Sequence, residues 1–323
     1  MHSISVVIPV YRGEFSLHSR VEELARYTQQ SLSPQGVPFA ITELVLVYDN
    51  GPDDSARMIR ELSASADWVR PVWLSKNYGQ HAATLAGMAS SIGDWVVTID
   101  EDGQQDPSDL GVLLDAALNA GAQVVYAVPQ NAPPHGILRN FLSLRAKSVA
   151  VWLSGQRHAA NYNSYRMILG SVARGVAAYA GPGVYLDVAL GWVAGKFATA
   201  PTLLRGEDRG SGYSGRALVS HFWRLVISSG TRVLRLVSLA GVFLAVLGVV
   251  FASWIVVVKL AFGVDSEGWA STIVVLLLGC GAILFSLGVI AEYVGANVNM
   301  AMGKPAYFVT TDPADGPLGK RQS

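Results

Sequence analysis

The sequence predicts an α/β protein in which a mostly parallel sheet domain precedes a hairpin of two membrane-spanning helices. Three observations predict this architecture. Apolar, β-branched runs alternate with stretches of helical periodicity through the first 130 residues, which favours right-handed strand–helix–strand units. Polar and acidic residues collect where these apolar runs end. Two uncharged apolar runs of 23 residues each lie near the C-terminus.

The first 130 residues are predicted to form five strands joined by four helices. The run ISVVIPVY at 4–11 is continuously apolar, as expected of a strand that is covered on both faces. The fourth helix begins with Asp106 as N-cap and Pro107 at its first position, and it ends near Gly121. The other strands are expected at 41–50, 69–75, 94–100 and 122–128, and the helices at 16–32, 54–66, 80–92 and 106–121.

Candidate ligand-binding residues follow these strands directly. Sheets of this kind bind ligands outside the carboxyl ends of their strands, and Tyr11, Asp49 and the run 100–102 fall at such ends. Asp100 and Asp102 are two residues apart, so both side chains point the same way from an extended strand end. Their oxygens suit Mg²⁺ or Mn²⁺. The alternative is an N-cap cluster for the next helix, a role for which Asp106 already suffices.

The second half of the chain predicts attachment to a membrane. Residues 206–235 combine a glycine-rich, charged loop with an amphipathic helix, which lies either in a membrane interface or on an ordinary protein surface. The hairpin covers 236–302, and its apolar runs at 236–258 and 269–291 each exceed the roughly 20 residues needed to cross a bilayer. Residues 303–323 form a tail. The soluble domain occupies 1–205.

Charge around the hairpin predicts its orientation. Four arginines precede the first apolar run, whereas the connector between the runs offers only one lysine against two carboxylates: Arg216, Arg224, Arg232 and Arg235 against Lys259, Asp265 and Glu267. The positive-inside rule then places the large domain and both termini in the cytoplasm of an integral inner-membrane protein. No basic segment precedes the first strand, so a signal peptide is not expected.

Composition excludes several functional classes. The formal net charge is zero, without the basic stripe of a nucleic-acid-binding protein. Cys280 is the only cysteine, which excludes an intrachain disulfide and a thiolate metal site. The six histidines include no pair at i, i+4, so a zincin-type site is not expected.

Several motifs, taken in order, resemble those of a known enzyme family. These motifs are VVIPVY, VYDNGPDDS, LSKNYGQHAATLAGM, IDEDGQQDP and, after the second apolar run, AEYVGANVNMAMGKPAYFV. Together with the hairpin they are similar to the family-2 glycosyltransferases of GT-A fold, and more narrowly to the polyisoprenyl-phosphate glycosyltransferases. The resemblance covers nearly the whole chain and implies a GT-A, Rossmann-like domain.

The resemblance implies a nucleotide site at the strand ends. Pro9, Tyr11 and Glu14 would line the base and ribose. Asp49 would contact the base, and Lys76 would lie near the nucleotide or its phosphates. The family's first aspartate before this position is absent, which leaves a UDP-sugar and a GDP-sugar both open as donors.

The resemblance also implies a metal site. Asp100, Asp102 and Gln104 match the family's DxDxQ pattern, whose metal is Mg²⁺ or Mn²⁺ and in which Asp102 would be catalytic. Glu101 would border the nucleotide. The chain departs from the family pattern at Gly103, where leucine is common, and by one extra residue before the following Asp-Pro.

Three arginines match positions that the family places near the sugar or the acceptor phosphate. Arg166 and Arg205 would be catalytic residues at these positions, and Arg209 would contribute to binding there. At two positions where the family usually has a positively charged residue, this chain has Pro129 and Gly212. These departures leave open the possibility that the acceptor is not a polyprenyl phosphate.

The function implied is inverting, metal-dependent transfer of one sugar from a nucleotide sugar to a polyprenyl phosphate on the cytoplasmic leaflet. A phosphate monoester is mostly ionised at neutral pH, so a dedicated base is not required, although Glu101 or Asp102 could serve. Alternatives are transfer to a glycolipid hydroxyl, an inactive membrane scaffold, and a processive polysaccharide synthase, whose QxxRW motif is missing. A homo-oligomer is a further expectation for a protein anchored in this way.

Overall fold

A computed structural model describes residues 1–131, 161–205, 232–262 and 268–315. The predicted loop and amphipathic helix at 206–230 and the connector at 263–267 lie outside these ranges, as does the end of the tail. Strands in the described ranges are β1 His2–Val10, β2 Ser31–Leu32, β3 Pro38–Tyr48, β4 Val69–Leu74, β5 Trp95–Thr98, β6 Val124–Pro129, β7 Arg166–Leu169, β8 Phe197–Thr202 and β9 Val309–Thr310. Helices are α1 Leu17–Ala25, α2 Ser55–Ser65, α3 Gln80–Ser90, α4 Leu110–Ala120, α5 Gly170–Tyr179, α6 Leu186–Val193, α7 Arg232–Phe262 and α8 Trp269–Ala301.

The strands of the described ranges form one mixed sheet in the order β8-β6-β7-β5-β1-β3-β4-β9, with β2 paired to the start of β3. Six strands run in one direction, which confirms the predicted mostly parallel sheet; they are β1, β3, β4, β5, β6 and β8. β7 runs antiparallel between β5 and β6, and β9 runs antiparallel at the outer edge of β4. Neither strand was predicted.

Two apolar cores lie on opposite faces of the sheet, because side chains alternate along each strand. Val6 and Ile8 of β1 pack in the core that contains Leu17 and Leu24 of α1. The residue between them, Val7, packs in the core that contains Met88 of α3 and the apolar side chains of α5 and α6. This double coverage explains why β1 is apolar at consecutive positions.

The predicted helix at 16–32 is wrong beyond Ala25, where α1 ends. Tertiary contacts decide this boundary. The carbonyl oxygen of Tyr27 accepts a hydrogen bond from the amide of Ile41 at 2.7 Å, and the Tyr27 ring stacks on Phe39 with centroids 6.3 Å apart. These contacts tie residues 26–32 to the start of β3 rather than to another turn of helix. By contrast, Asp106 is an N-cap as predicted, because its side chain accepts from the Ser108 amide at 2.9 Å; the segment that it caps is a 3-10 turn, Pro107–Asp109, which leads directly into α4.

Two long helices follow the sheet domain. Within them, segments Leu234–Val258 and Val274–Ala301 are long and apolar enough to cross a membrane. Their large apolar side chains are mostly exposed, as in Phe243, Trp254 and Leu284. Exposed apolar surface of this extent is stable only when lipid or another apolar surface covers it, and the length and composition of both helices suit association with a membrane.

Candidate active site

The candidate site lies where the parallel strands end. A cavity of about 370 Å³ opens there, and its lining includes six of the twelve site residues expected from the sequence. The lining residues are Pro9, Val10, Tyr11, Asp49, Asn77, Gly79, Gln80, Asp100, Glu101 and Asp102. The strand order brings them together because β1 lies between β3 and β5, whose carboxyl ends carry Asp49 and the acidic run. We refer to this space as the first cavity.

Asp49 organises the wall of the first cavity that follows β4. Its carboxylate is 3% exposed and accepts the backbone amides of Tyr78 at 2.7 Å and Gly79 at 2.8 Å. Burial raises the pKa of Asp49, and the two amide hydrogen bonds oppose that rise. Gly79 has φ of 89°, a conformation that favours glycine, and it sets the entry into α3. Asp49 therefore positions the loop at 75–80.

Glu101 holds the opposite wall. Its carboxylate accepts the amides of Tyr11 at 3.0 Å and Arg12 at 2.9 Å, just after β1. Burial raises the pKa of Glu101, while the two amide hydrogen bonds lower it. Both oxygens are thus engaged by the backbone, and this carboxylate positions the β1 end rather than offering an open base.

Asp100 lies at the floor of the site, inside a network of neutral donors. Its carboxylate accepts from Gln80 at 2.6 Å, from Gln105 at 3.0 Å and from the Ser164 hydroxyl. Burial raises the pKa of Asp100 to about 6, the Ser164 hydrogen bond lowers it, and the nearby charge of Asp102 adds to the rise. A cation close to this carboxylate would relieve both the burial and the repulsion.

Asp102 is exposed, and its carboxylate accepts the Gln104 amide at 3.0 Å across a tight turn. Gly103 occupies that turn with φ of 90°, and a Cβ there would lie 2.8 Å from the Arg20 guanidinium. The departure from leucine at this position therefore follows from the turn itself. Of the two consecutive glutamines that follow this turn, Gln105 is the one whose side chain donates to Asp100, and it is 4% exposed.

A second cavity of about 330 Å³ adjoins the first and shares Gln80 and Asp100 with it. Its other lining residues are His81, Thr84, Tyr162, Asn163, Ser164, Arg166, Tyr185 and Asp187. Arg166 is buried and forms an ion pair with Asp187, and it donates to Thr98 at 3.2 Å. Tyr126 also donates to Asp187, at 2.9 Å. The Arg166 charge is thus neutralised within the protein.

Comparison with known proteins agrees with this geometry. The sequence profile of Glycosyl transferase family 2 matches residues 5–167, which contain the strands and acidic run just described. The chain belongs to glycosyltransferase family 2. It is thus a glycosyltransferase of GT-A fold, as the sequence motifs implied.

Two relatives share this glycosyltransferase's length as well as its catalytic domain. The undecaprenyl-phosphate 4-deoxy-4-formamido-L-arabinose transferase of Klebsiella pneumoniae (strain 342) is 31% identical over 310 residues, covering 95% of this chain and 92% of that protein. The transferase of the same name from Pseudomonas paraeruginosa is 32% identical over 324 residues, with 95% and 89% covered. Among solved structures, mannosyl-3-phosphoglycerate synthase from Rubrobacter xylanophilus aligns with a TM-score of 0.48 and 16% identity, over 72% of this chain and 74% of that one.

Several predicted site residues of the glycosyltransferase lie away from both cavity linings. Arg205 pairs with Glu23 and Asp106, each at 2.8 Å. Lys76 places its ammonium 5.2 Å from the centre of the Tyr78 ring. The Glu14 carboxylate accepts the amide of Asp54 at 3.4 Å. Arg209 and Gly212 lie outside the described residues.

Sequence reasoning missed several polar residues that contact Asp100 or Arg166, among them Gln80, Gln105, Ser164 and Asp187. Gln80 and Gln105 lie inside motifs that were recognised, but no local pattern marks the contacts that they make with Asp100. Asp187 carried the clearest signal, as a single acidic residue in the otherwise apolar stretch VYLDVALG.

The two aspartates fit a divalent cation as a partial ligand set. Asp100 and Asp102 supply hard oxygen ligands, and their mutual repulsion favours a shared cation. In the part of the chain that the structure describes, no three histidine, cysteine or acidic side chains are grouped suitably for a metal ion. A cation held here would take further ligands from water and from substrate phosphates, as Mg²⁺ commonly does.

Proposed function

We propose that this enzyme transfers one sugar from a nucleotide diphosphate sugar to a polyprenyl phosphate, with inversion at the anomeric carbon. One observation carries the proposal. Asp100 and Asp102 lie in a cavity at the strand ends, in a chain that continues into two helices apolar enough to enter a lipid bilayer. The names of both full-length relatives, which specify undecaprenyl phosphate, support the choice of acceptor.

The first cavity supports a nucleotide diphosphate as the donor group. It is bounded by the loop at 75–80, which Asp49 holds, and by the β1 end, which Glu101 holds. The diphosphate would lie towards Asp100 and Asp102. A bound Mg²⁺ or Mn²⁺ supplies charge neutralisation for the diphosphate as it leaves. From the family resemblance, Lys76 and Glu14 remain predicted contacts of the donor, and Gln104 remains a predicted residue of the metal site.

The acceptor phosphate needs no general base among these residues. One of its oxygens attacks the anomeric carbon while the bond from that carbon to the nucleotide diphosphate breaks, so the electron pair leaves with the diphosphate. The attacking oxygen is already ionised at neutral pH. This agrees with the carboxylates of Asp49 and Glu101, whose oxygens accept backbone amides.

The course of the chain supports a membrane hairpin with its two ends on one side. The sheet domain precedes α7, and β9, after α8, pairs with β4 of that same sheet. A chain that leaves the domain and returns to it crosses a bilayer an even number of times. The arginines at 216, 224, 232 and 235, which precede the first apolar run, support a cytoplasmic location for this side, where nucleotide sugars are available.

The test uses full-length protein in detergent with polyprenyl phosphate, Mn²⁺ and a panel of radiolabelled UDP- and GDP-sugars. We expect label from one donor to enter the organic phase in an acid-labile glycosyl phosphate. Asp102→Asn should abolish this product, while Asp54→Asn, an exposed carboxylate paired with Arg57, should retain it. Donor binding without any labelled lipid would refute the acceptor, and the anomeric configuration of the product tests inversion.

Transfer to a glycolipid hydroxyl is the second candidate, and one observation favours it. Arg166 is the only lysine or arginine that lines either cavity within the described ranges, and Asp187 neutralises it. An acid-stable labelled lipid that forms only with a glycolipid acceptor would establish this candidate instead.

A further inference from the structure

The segment after the second membrane helix returns to the catalytic domain. α8 ends at Ala301, and the chain turns at Gly303, whose φ is 65°. Residues 307–312, which we call the C-terminal strap, then lie along the free edge of β4. The Tyr307 ring packs against the core on the α3 side of the sheet. The sequence alone predicted only a tail for this segment.

The strap and β4 form a short antiparallel ladder, and one hydrogen bond shows which pairs of residues in this ladder are hydrogen-bonded. The amide of Ser75 donates to the carbonyl of Phe308 at 3.0 Å. Leu74 faces Val309, and Trp73 faces Thr310. Because hydrogen-bonded and non-hydrogen-bonded pairs alternate along an antiparallel ladder, Trp73 and Thr310 form the next hydrogen-bonded pair. The Thr310 amide therefore points into the ladder, and the Val309 amide points away from it.

An ion pair fixes the far end of the strap. Arg60 of α2 donates two hydrogen bonds to the Asp312 carboxylate, at 2.6 and 2.7 Å. The guanidinium also lies 5.1 Å from the centre of the Trp73 ring in β4. The Arg60 hydrogen bonds lower the pKa of Asp312, as expected for a carboxylate held in its charged form. Two elements of the catalytic domain therefore hold the strap.

β4 connects the strap to the first cavity. The loop that begins at Ser75 supplies Asn77, Gly79 and Gln80 to the cavity lining. Ser75 itself contacts the Tyr78 hydroxyl at 3.0 Å, so the strap binds the residue from which this loop starts. Only five residues separate the last residue of α8 from the strap.

We propose that the strap is a positioning element for the nucleotide cavity. By pairing with β4 it fixes the start of the 75–80 loop, and it thereby ties the end of α8 to the donor site. A chain with the strap undocked would keep its sheet and its metal carboxylates but would bind nucleotide more weakly.

The ladder offers a matched pair of variants in the full-length protein. Thr310→Pro removes a donor from the ladder, whereas Val309→Pro removes an amide that points away from it, a position that tolerates proline on an edge strand. Binding of UDP and of GDP with Mn²⁺ is measured by calorimetry in detergent. For the nucleotide that binds, we expect a dissociation constant about five-fold higher in Thr310→Pro and within two-fold of wild type in Val309→Pro.

A kinetic readout separates positioning from general damage. With the donor varied, Thr310→Pro should raise KM for the donor by a similar factor and leave kcat and the KM for the acceptor within two-fold. Asp312→Asn should act in the same direction, and Asp312→Glu should restore most of the affinity. Equal effects of the two prolines, or a loss confined to kcat, would overturn the proposal. The binding measurement needs no acceptor, so it remains decisive if the proposed transfer reaction is wrong.

Discussion

Replacement of Asp49 by asparagine tests how the first cavity is built. The carboxylate accepts two backbone amides, from Tyr78 at 2.7 Å and Gly79 at 2.8 Å, and it is 3% exposed. Asparagine keeps one acceptor oxygen and turns an NH₂ group towards the other amide. One hydrogen bond to a charged group contributes about 1.5–3 kcal/mol, and relief of carboxylate burial offsets part of its loss. We therefore expect a net cost of about 2 kcal/mol.

This cost should appear in both stability and nucleotide affinity, because the amides belong to the loop that lines the cavity. An energy of about 2 kcal/mol corresponds to about a thirty-fold change in a dissociation constant. We therefore expect the dissociation constant of UDP or GDP to rise by at most this factor. Calorimetric titration with Mn²⁺ and a thermal unfolding scan in detergent measure the two effects. Asp54→Asn is the control, because an exposed ion pair contributes little to stability.

The outcome separates two roles for Asp49. Weaker binding of both nucleotides together with a lower unfolding temperature supports the positioning role. Loss of affinity for one nucleotide alone, with unchanged thermal stability, would show that Asp49 contacts the base directly, as the family resemblance implies. An unchanged variant would refute both roles.

Three further predictions follow from named contacts. Burial raises the pKa of Asp100 to about 6, so below that pH Mn²⁺ must displace a proton from this carboxyl group. The affinity of the enzyme for Mn²⁺ should therefore fall up to about ten-fold per pH unit below 6 and stay nearly constant between pH 7 and 8, as measured by electron paramagnetic resonance. Gly51→Ala should abolish nucleotide binding, because its Cβ would lie 1.8 Å from a backbone carbonyl oxygen just after β1, whereas Gly175→Ala meets nothing within 4 Å and should bind normally. Asp187→Asn should destabilise the protein by about 3 kcal/mol, because it leaves the buried Arg166 charge without its partner. Thermal unfolding measures this loss, and an unchanged unfolding temperature would contradict a stabilising role for the ion pair.

The sequence predicted the parallel core of the fold because its strands are largely apolar and four of the five predicted strands are each followed by a stretch of helical periodicity. It did not predict β7, whose four residues pair with β5 and β6 from a distant part of the chain. Nor did it predict β9, which is two residues long and pairs with β4. Short segments of this kind owe their conformation to tertiary contacts, which leave no periodicity in the sequence.

At the candidate site, sequence reasoning found residues whose position relative to a strand end defines them, such as Asp49, Asp100 and Asp102. Sequence reasoning was less successful in predicting which side chains form ion pairs or hydrogen bonds with each other. Arg205 faces Glu23 and Asp106 rather than either cavity, and Gln105 rather than Gln104 contacts Asp100. Partner choice depends on which side chains the fold brings within hydrogen-bond distance, and that information is distributed over several elements.

The place of β9 in the chain also sets the order in which the enzyme matures. Ribosomes synthesise the sheet first, then both apolar helices, and only then residues 309–310. Until the strap emerges, β4 presents an edge of unpaired backbone groups, which is a common starting point for aggregation. Because both apolar helices are synthesised before the strand that covers this edge, the sheet can reach its final set of strands only after the helices have been made.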